Sequence, residues 1–162
     1  MHVRFFLSLL ILLATMGFVL LPALGFGGSQ PVIPAPREAE WGRGYLTISS
    51  KTRIILGDKT LPEDAVATSE LADAVGELRA ARLPVVRESS IRNIGTGYIY
   101  IGTPVSTRGA ALLEQRKGSF RAEMEEEGYF LDVGGDGAVV LARTPRGRFY
   151  GVMTLVQLLS RP

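Results

Sequence analysis

The run of residues 147–159 is the feature that most constrains how this chain can fold. Its apolar residues recur three and four positions apart, which predicts an α-helix. At about 100° per residue, Tyr150, Thr154, Gln157 and Arg161 form one narrow polar stripe, which leaves an apolar arc roughly 220° wide. A helix with so wide an arc needs cover on two sides. Its predicted core or interdomain residues are Phe149, Val152, Met153, Leu155, Val156, Leu158 and Leu159.

Glycine residues in this helix indicate that it packs closely. Gly147 and Gly151 lack a Cβ, so they allow the start of the helix to approach neighbouring backbone.

Strands are predicted where β-forming residues cluster between turn signals. A Pro-rich extended segment comes first, at residues 31–36, because its prolines forbid a helix. Gly134, Gly135 and Gly137 predict a hairpin turn, in which glycines adopt positive φ angles. The predicted strands are 45–48, 53–56, 98–101, 129–133 and 138–142, with a further strand starting at 84–86.

Two further helices are predicted before the last one. Pro62, followed by Glu63 and Asp64, indicates the start of a helix whose first-turn acids suit the helix dipole, and Pro84 ends it. A short helix is predicted over residues 109–116. Because helices interleave with both single strands and a hairpin, we expect an α+β fold with a mixed β-sheet and two or three helices packed on it. The apolar face of the first helix carries Leu71, Ala74, Val75 and Leu78.

The N-terminus predicts a signal peptide over residues 1–25. Arg4 supplies the positive region, residues 5–21 are mostly apolar, and the small residues Ala23 and Gly25 after Pro22 suit cleavage after Gly25. An uncleaved membrane anchor is the alternative, since about 17 apolar residues is at the short end for a span. In both cases the rest of the chain is exported. Residues 26–30 are then a flexible leader, and residues 31–160 form the domain.

Composition excludes several classes of function. The chain has no Cys, and its one His is His2 in the signal segment, so disulfides, a zinc site and a Ser-His-Asp triad are not expected. Cleavage would remove Arg4 from the 18 basic residues, which leaves 17 against 16 acidic ones. So balanced a charge predicts no nucleic-acid binding. We also expect no cofactor.

Two residue groups could carry carbohydrate chemistry. Glu123, Glu125, Glu126 and Glu127 could flank a sugar, but glycosidic cleavage needs two carboxyls across a pocket. If residues 125–127 are extended, these acids form a solvated strand edge. An aromatic platform for sugars is also conceivable, although strand aromatics more often belong to a core or an interface. Its members would be Trp41, Tyr45, Tyr98 and Tyr100.

Three segments in order resemble one known module, the N-terminal non-catalytic domain of glycoside hydrolase family 20, the β-N-acetylhexosaminidases. The first is residues 32–36 (Val-Ile-Pro-Ala-Pro) with 44–48 (Gly-Tyr-Leu-Thr-Ile), and the second is residues 127–133 (Glu-Gly-Tyr-Phe-Leu-Asp-Val). The third segment carries Gly147, Phe149, Tyr150, Gly151, Thr154, Leu155, Gln157, Leu158 and Leu159. Within this segment Met153 departs from the family, which commonly has Gln at that position.

The resemblance implies a sheet carrying two helices that pack against a following catalytic barrel. In that family the barrel supplies an Asp-Glu pair, and the acetamido group of the substrate acts as nucleophile. No position in this chain matches that catalytic motif, so no catalytic residue is predicted and the barrel is expected to be absent from residues 1–162. Hyaluronidase-like and α-glucuronidase families carry a similar domain, so the parent family stays open.

We therefore predict an accessory domain of a secreted β-N-acetylhexosaminidase-type glycoside hydrolase, inactive alone. Its expected partner is a catalytic barrel in the parent protein, and amino-sugar polysaccharide is a further possible partner. Contact with a membrane is expected only if the N-terminal segment stays uncleaved. The alternative is a carbohydrate-binding or protein-interaction module of the cell envelope.

Overall fold

A computed structural model describes residues 32–42, 45–79, 82–124 and 126–160. The predicted signal peptide and leader lie outside these residues. None of the helices in the described part of the chain is long and apolar enough to cross a membrane. The elements are β1 (Arg53–Leu56), α1 (Asp64–Arg79), β2 (Val85–Arg87), β3 (Tyr98–Gly102), α2 (Thr107–Gln115), β4 (Tyr129–Gly134), β5 (Gly137–Ala142) and α3 (Pro145–Leu159).

The five strands form one mixed sheet in the order β2-β1-β3-β5-β4. The pairs β2–β1, β1–β3 and β3–β5 are parallel, whereas β4 pairs antiparallel with β5. The antiparallel pair arises because only a two-residue turn separates β4 from β5, while α1 provides the longer connection that parallel β1 and β2 require. The predicted α+β class, a mixed sheet with packed helices, is confirmed.

Alternating side chains of the central strands divide the core into two layers. Ile54, Ile99 and Val140 point to the face covered by α1 and α3, whereas Ile55, Tyr100 and Val139 point to the face covered by α2. All six of these side chains are fully buried. Strands that are buried on both faces have continuous apolar sequences, and β3 and β5 are predictable from the sequence for this reason.

The predicted strand at residues 45–48 is not part of the sheet. Leu46 and Ile48 are partly buried against the first core layer, whereas Tyr45 and Thr47 are exposed, so the alternation is real but no ladder forms. Alternation reports which side chains are buried and does not specify a hydrogen-bonding partner. Residues 32–36 are likewise outside the sheet, because their prolines lack the N–H groups that a ladder needs.

The glycines of the β4–β5 hairpin have a different role from the predicted one. None of them has a φ angle in the left-handed region. Instead two of them make room for side chains: a Cβ on Gly137 would lie 2.7 Å from the ring of Tyr98, and one on Gly134 would lie 2.7 Å from Nη1 of Arg116. The prediction of positive φ angles was wrong because close approach, and not turn geometry, requires glycine here.

Helix α1 packs on the sheet over a shorter length than the sequence pattern indicates. Leu71 and Val75 are fully buried, as predicted, and Ala67 and Ala72 join them. Leu78 belongs to the same predicted face but is 46% exposed. Contact with the core therefore ends near Val75, one turn before the helix itself ends.

This difference predicts unequal effects of two otherwise identical truncations in α1. Leu71→Ala should lower the free energy of unfolding by about 2–5 kcal/mol, because it leaves a cavity in the core. Leu78→Ala should cost less than about 1 kcal/mol, as is usual for exposed positions. Urea unfolding followed by circular dichroism measures both. Equal losses would contradict the packing described for α1.

Candidate functional site

The start of α3 is anchored to the loop that precedes β4. Thr144 caps the helix, since its Oγ1 accepts a hydrogen bond from the N–H of Gly147 at 3.0 Å. The same hydroxyl donates to the carbonyl oxygen of Glu126. Pro145 occupies the first turn, where its missing N–H is not needed. The direction of α3 is thus determined before its apolar residues begin.

A buried ion pair joins the start of α3 to the start of α1. Arg148 is 1% exposed and Asp64 is fully buried. Nε of Arg148 lies 2.6 Å from Oδ1 of Asp64, and Nη2 lies 2.7 Å from Oδ2. The remaining Nη1 donates to the carbonyl of Ala142 at 2.9 Å, and Oδ2 also accepts from the N–H of Leu61 at 2.7 Å. Every nitrogen of the guanidinium and both oxygens of the carboxylate therefore have a hydrogen-bond partner, as a buried ion pair requires.

Sequence reasoning missed this pair. It placed Asp64 at the helix dipole and gave Arg148 no role. The two residues are 84 positions apart, and no local pattern connects them. The one available signal was position: Arg148 directly follows Gly147, a residue predicted to lie close to neighbouring backbone.

Two glycines bring α3 onto the sheet, as predicted. A Cβ on Gly147 would lie 2.7 Å from the carbonyl oxygen of Gly128, and one on Gly151 would lie 2.6 Å from Cγ1 of Val140. Distances this short exclude any larger residue without movement of the neighbours. The expectation that these glycines permit close approach is confirmed, and it explains why glycine recurs four residues apart on this helix.

The predicted polar stripe of α3 does not face solvent along its length. Thr154 is only 7% exposed, and its Oγ1 lies 2.7 Å from Oη of Tyr129. Gln157 is partly buried and hydrogen-bonds to the backbone of Ile33. Tyr150 is 39% exposed, and Arg161 lies outside the described residues. Thr154 and Gln157 thus bind other segments. The buried side of α3 is therefore rotated about the helix axis relative to the side that the sequence predicts.

The seven predicted core or interdomain residues of α3 divide into two groups. Val152 and Leu155 are fully buried against the sheet. The others are partly exposed, and whether they contact another domain stays a prediction. Of these, Phe149, Val156 and Leu159 lie against the rim of the first core layer. The partly exposed residues are Phe149, Met153, Val156, Leu158 and Leu159.

One side of α3 therefore carries apolar side chains that this domain covers incompletely. We call it the outer face and define it as Phe149, Tyr150, Met153 and Val156. These four positions span about 120° around the helix axis. The aromatic rings of Phe149 and Tyr150 contact edge to face, with centroids 6.0 Å apart.

The acidic run provides no catalytic or metal site among the described residues. Ala122–Met124 forms a single 3₁₀ turn, and Glu126 and Glu127 lie in a turn and not in a strand. Glu123, Glu126 and Glu127 are exposed, as expected of a solvated segment, and Glu125 lies outside the described residues. In the described part of the chain, no three Asp, Glu, His or Cys side chains are grouped so that they could hold a metal ion.

The conceivable aromatic sugar platform is not assembled. Tyr98 is 1% exposed and Tyr100 is fully buried, so neither ring can contact a sugar. Oη of Tyr100 donates to Oε2 of Glu88 at 2.8 Å, and burial raises the pKa of Tyr100 above its ordinary value. Both tyrosines are core residues, the more common role for aromatics on a strand. Trp41 and Tyr45 are 59% and 78% exposed, respectively.

Comparison with known proteins identifies similar domains. The family model for "Glycosyl hydrolase family 20, domain 2" matches residues 29–162. The structure resembles the family 20 β-N-acetylhexosaminidase from Streptomyces coelicolor A3(2), with 30% identity, a TM-score of 0.56 and coverage of 78% of this chain and 21% of that one. The N-acetyl-β-hexosaminidase of Streptomyces plicatus is 28% identical, with a TM-score of 0.53 and coverage of 77% and 20%.

A third structure, CpGH84D, is 13% identical with a TM-score of 0.63, covers 81% of this chain and 21% of that one, and shows the shared fold alone. No curated protein matches the chain. The chain spans about a fifth of the length of each of these three proteins. What is similar is therefore one domain of longer proteins, and α3 belongs to the matched part.

The buried ion pair predicts a large loss of stability when one partner is removed. Arg148→Met should lower the free energy of unfolding by about 3–5 kcal/mol, because Asp64 is left charged and buried. Adding Asp64→Asn should restore part of this loss. Chemical unfolding of the single and double variants measures both effects.

Arg146→Met is the matched control. Arg146 pairs with Glu127 at 3.4 Å, but both side chains are more than 60% exposed, at 62% and 61%. A surface pair of this kind contributes about 0–1 kcal/mol. If Arg148→Met were no more harmful than Arg146→Met, the ion pair would not hold α3 in place.

Proposed function

Because the chain belongs to glycosyl hydrolase family 20, domain 2, we propose that it is the accessory, non-catalytic domain of an exported β-N-acetylhexosaminidase. The proposal is supported by two solved hexosaminidases that are 30% and 28% identical to it. About four-fifths of each of those proteins lies outside the matched part. In the parent protein, that remaining part would include the catalytic barrel.

One observation carries the proposal: α3 is packed tightly on one side and incompletely on the other. Val152, Leu155 and the Arg148 ion pair fasten its inner side to the sheet. The outer face presents Tyr150 and Met153 towards solvent. A rigid helix with an apolar outer face suits a permanent partner, since the core of such an interface is apolar and well packed. We assign that partner as the catalytic barrel.

Two findings bear on the alternative functions. The burial of Tyr98 and Tyr100 counts against a carbohydrate-binding module that uses strand aromatics. Glycosidic cleavage needs two carboxyl groups placed across a sugar, and the exposed acids Glu123, Glu126 and Glu127 line neither of two surface pockets formed by the described residues. The domain therefore supports catalysis by holding the barrel and takes no part in the reaction.

Export is the second part of the proposal. It is supported by the positive, apolar and small-residue regions of residues 1–25, which follow the order that a signal peptidase recognises. The absence of Cys is compatible with an oxidising compartment, because the two-layered core needs no disulfide.

The domain should act only together with a catalytic part. The purified chain should not hydrolyse a chromogenic N-acetylglucosaminide. A chimera in which residues 29–162 replace the matching domain of the Streptomyces coelicolor enzyme should hydrolyse it. In that chimera, Met153→Asp should lower the temperature of half-inactivation by several degrees, because a charge is buried at the interface. Activity after stepwise heating measures the effect.

Val66→Asp is the control, since Val66 is 58% exposed on α1 and is not a residue of the outer face. It should leave the inactivation temperature of the chimera unchanged. Turnover by the chain alone would contradict a non-catalytic role. An inactive chimera, or one that Met153→Asp does not affect, would contradict packing of α3 on the barrel.

The mature protein should begin at Phe26. Expression of the full chain in a host with a secretion pathway should give an exported product that lacks residues 1–25, because the signal peptidase cleaves after Gly25. Intact-mass spectrometry distinguishes this from the uncleaved anchor. A product that keeps Met1 and sediments with membranes would show that residues 1–25 are an anchor.

A further inference from the structure

We infer that the N-terminal segment, residues 32–42, forms part of the surface that receives the catalytic domain, and that Gln157 holds it there. The inference rests on the proposed function and extends it. It assigns to the docking surface a piece of chain more than 100 residues away from α3 in sequence. The segment has no place in the sheet, so its packing needs another explanation.

Gln157 binds one residue of the segment with both ends of its side-chain amide. The N–H of Ile33 donates to Oε1 at 2.9 Å, and Nε2 donates to the carbonyl oxygen of Ile33 at 2.8 Å. This is the pair of hydrogen bonds that a neighbouring strand would make to the same residue. The side-chain amide of Gln157 thus takes the place of a neighbouring strand, which the proline-rich segment does not have.

The two hydrogen bonds from Gln157 hold the backbone where two adjacent side chains point in opposite directions. Val32 is 3% exposed and belongs to the core, whereas Ile33 is 73% exposed. Because Gln157 holds the backbone of Ile33 while Val32 is buried in the core, the side chain of Ile33 stays outside the core. A large β-branched side chain is therefore held rigidly in the open, at a place where its backbone has no freedom to turn it inward.

A second contact fastens the same segment further along. Glu38 forms a two-pronged ion pair with Arg121, with Nη1–Oε1 and Nη2–Oε2 distances of 2.5 and 3.0 Å. Surface pairs of this kind contribute little to stability, but paired hydrogen bonds restrict geometry. The segment is tied at Ile33 and again at Glu38.

The position of Gln157 on α3 makes the two surfaces continuous. Gln157 follows Met153 by four residues and Tyr150 by seven, so all three lie along one stripe of the helix. Ile33, bound to Gln157, extends the apolar stripe beyond Met153 towards the C-terminal end of α3. That helix ends at Leu159, so chain that continues towards a catalytic domain emerges beside Ile33. A tethered domain meets the nearest apolar surface at high effective concentration.

The test compares the chimera described above with the isolated chain. Ile33→Asp and Gln157→Met should each lower the half-inactivation temperature of the chimera by about 3 °C or more. The double variant should lose little more than either single variant, because both changes disable the same contact. Val105→Asp is the matched control: Val105 is 69% exposed before α2 and should shift the temperature by less than about 1 °C.

Three results would overturn the inference. If Met153→Asp lowers the half-inactivation temperature of the chimera and Ile33→Asp does not, the catalytic domain docks on α3 alone. The proposed function then holds, but residues 32–42 are not part of the docking surface. If neither variant has an effect, the proposed function fails as well. If Ile33→Asp lowers the melting temperature of the isolated chain as much as that of the chimera, Ile33 stabilises its own domain and not the docking surface.

Discussion

The buried pair of Arg148 and Asp64 is the interaction on which the arrangement of this domain depends. It joins the first turns of α1 and α3 and reaches the end of β5 through the carbonyl of Ala142. Ion pairs away from water are not a general source of stability, but they strongly disfavour any arrangement that separates them. The pair therefore specifies where α3 begins relative to α1, and the apolar residues then complete the packing.

Close packing follows from that starting point. With Arg148 bound to Asp64, Gly147 and Gly151 lie against Gly128 and Val140 with no space for a side chain. Interiors packed at this density transmit a displacement instead of absorbing it. The outer face of α3 is consequently as well positioned as the core beneath it. A partner that docks on Phe149 and Met153 meets a surface held by the sheet.

Much of the fold could be predicted because it follows from local patterns. The continuous apolar runs of β3 and β5 and the spacing in α3 are visible in the sequence and correspond to burial. What could not be predicted depends on distant partners. The residues at 45–48 alternate like a strand but have no ladder, Arg148 finds Asp64 across 84 positions, and Gln157 binds Ile33 across 124. The apolar arc of α3 included Phe149, Met153 and Val156 of the outer face but not Tyr150, which the sequence pattern placed on the polar stripe.

The contact between Gln157 and Ile33 also places the two ends of the domain together. Chain enters at Ile33 and leaves after Leu159, two residues beyond the side chain that binds it. A domain with adjacent ends can be spliced into a host protein, or removed from it, without stretching the host chain. A domain of this kind can be exchanged between proteins as one piece. That geometry offers a physical reason why a protein only 13% identical to this chain carries the same fold as about a fifth of its length.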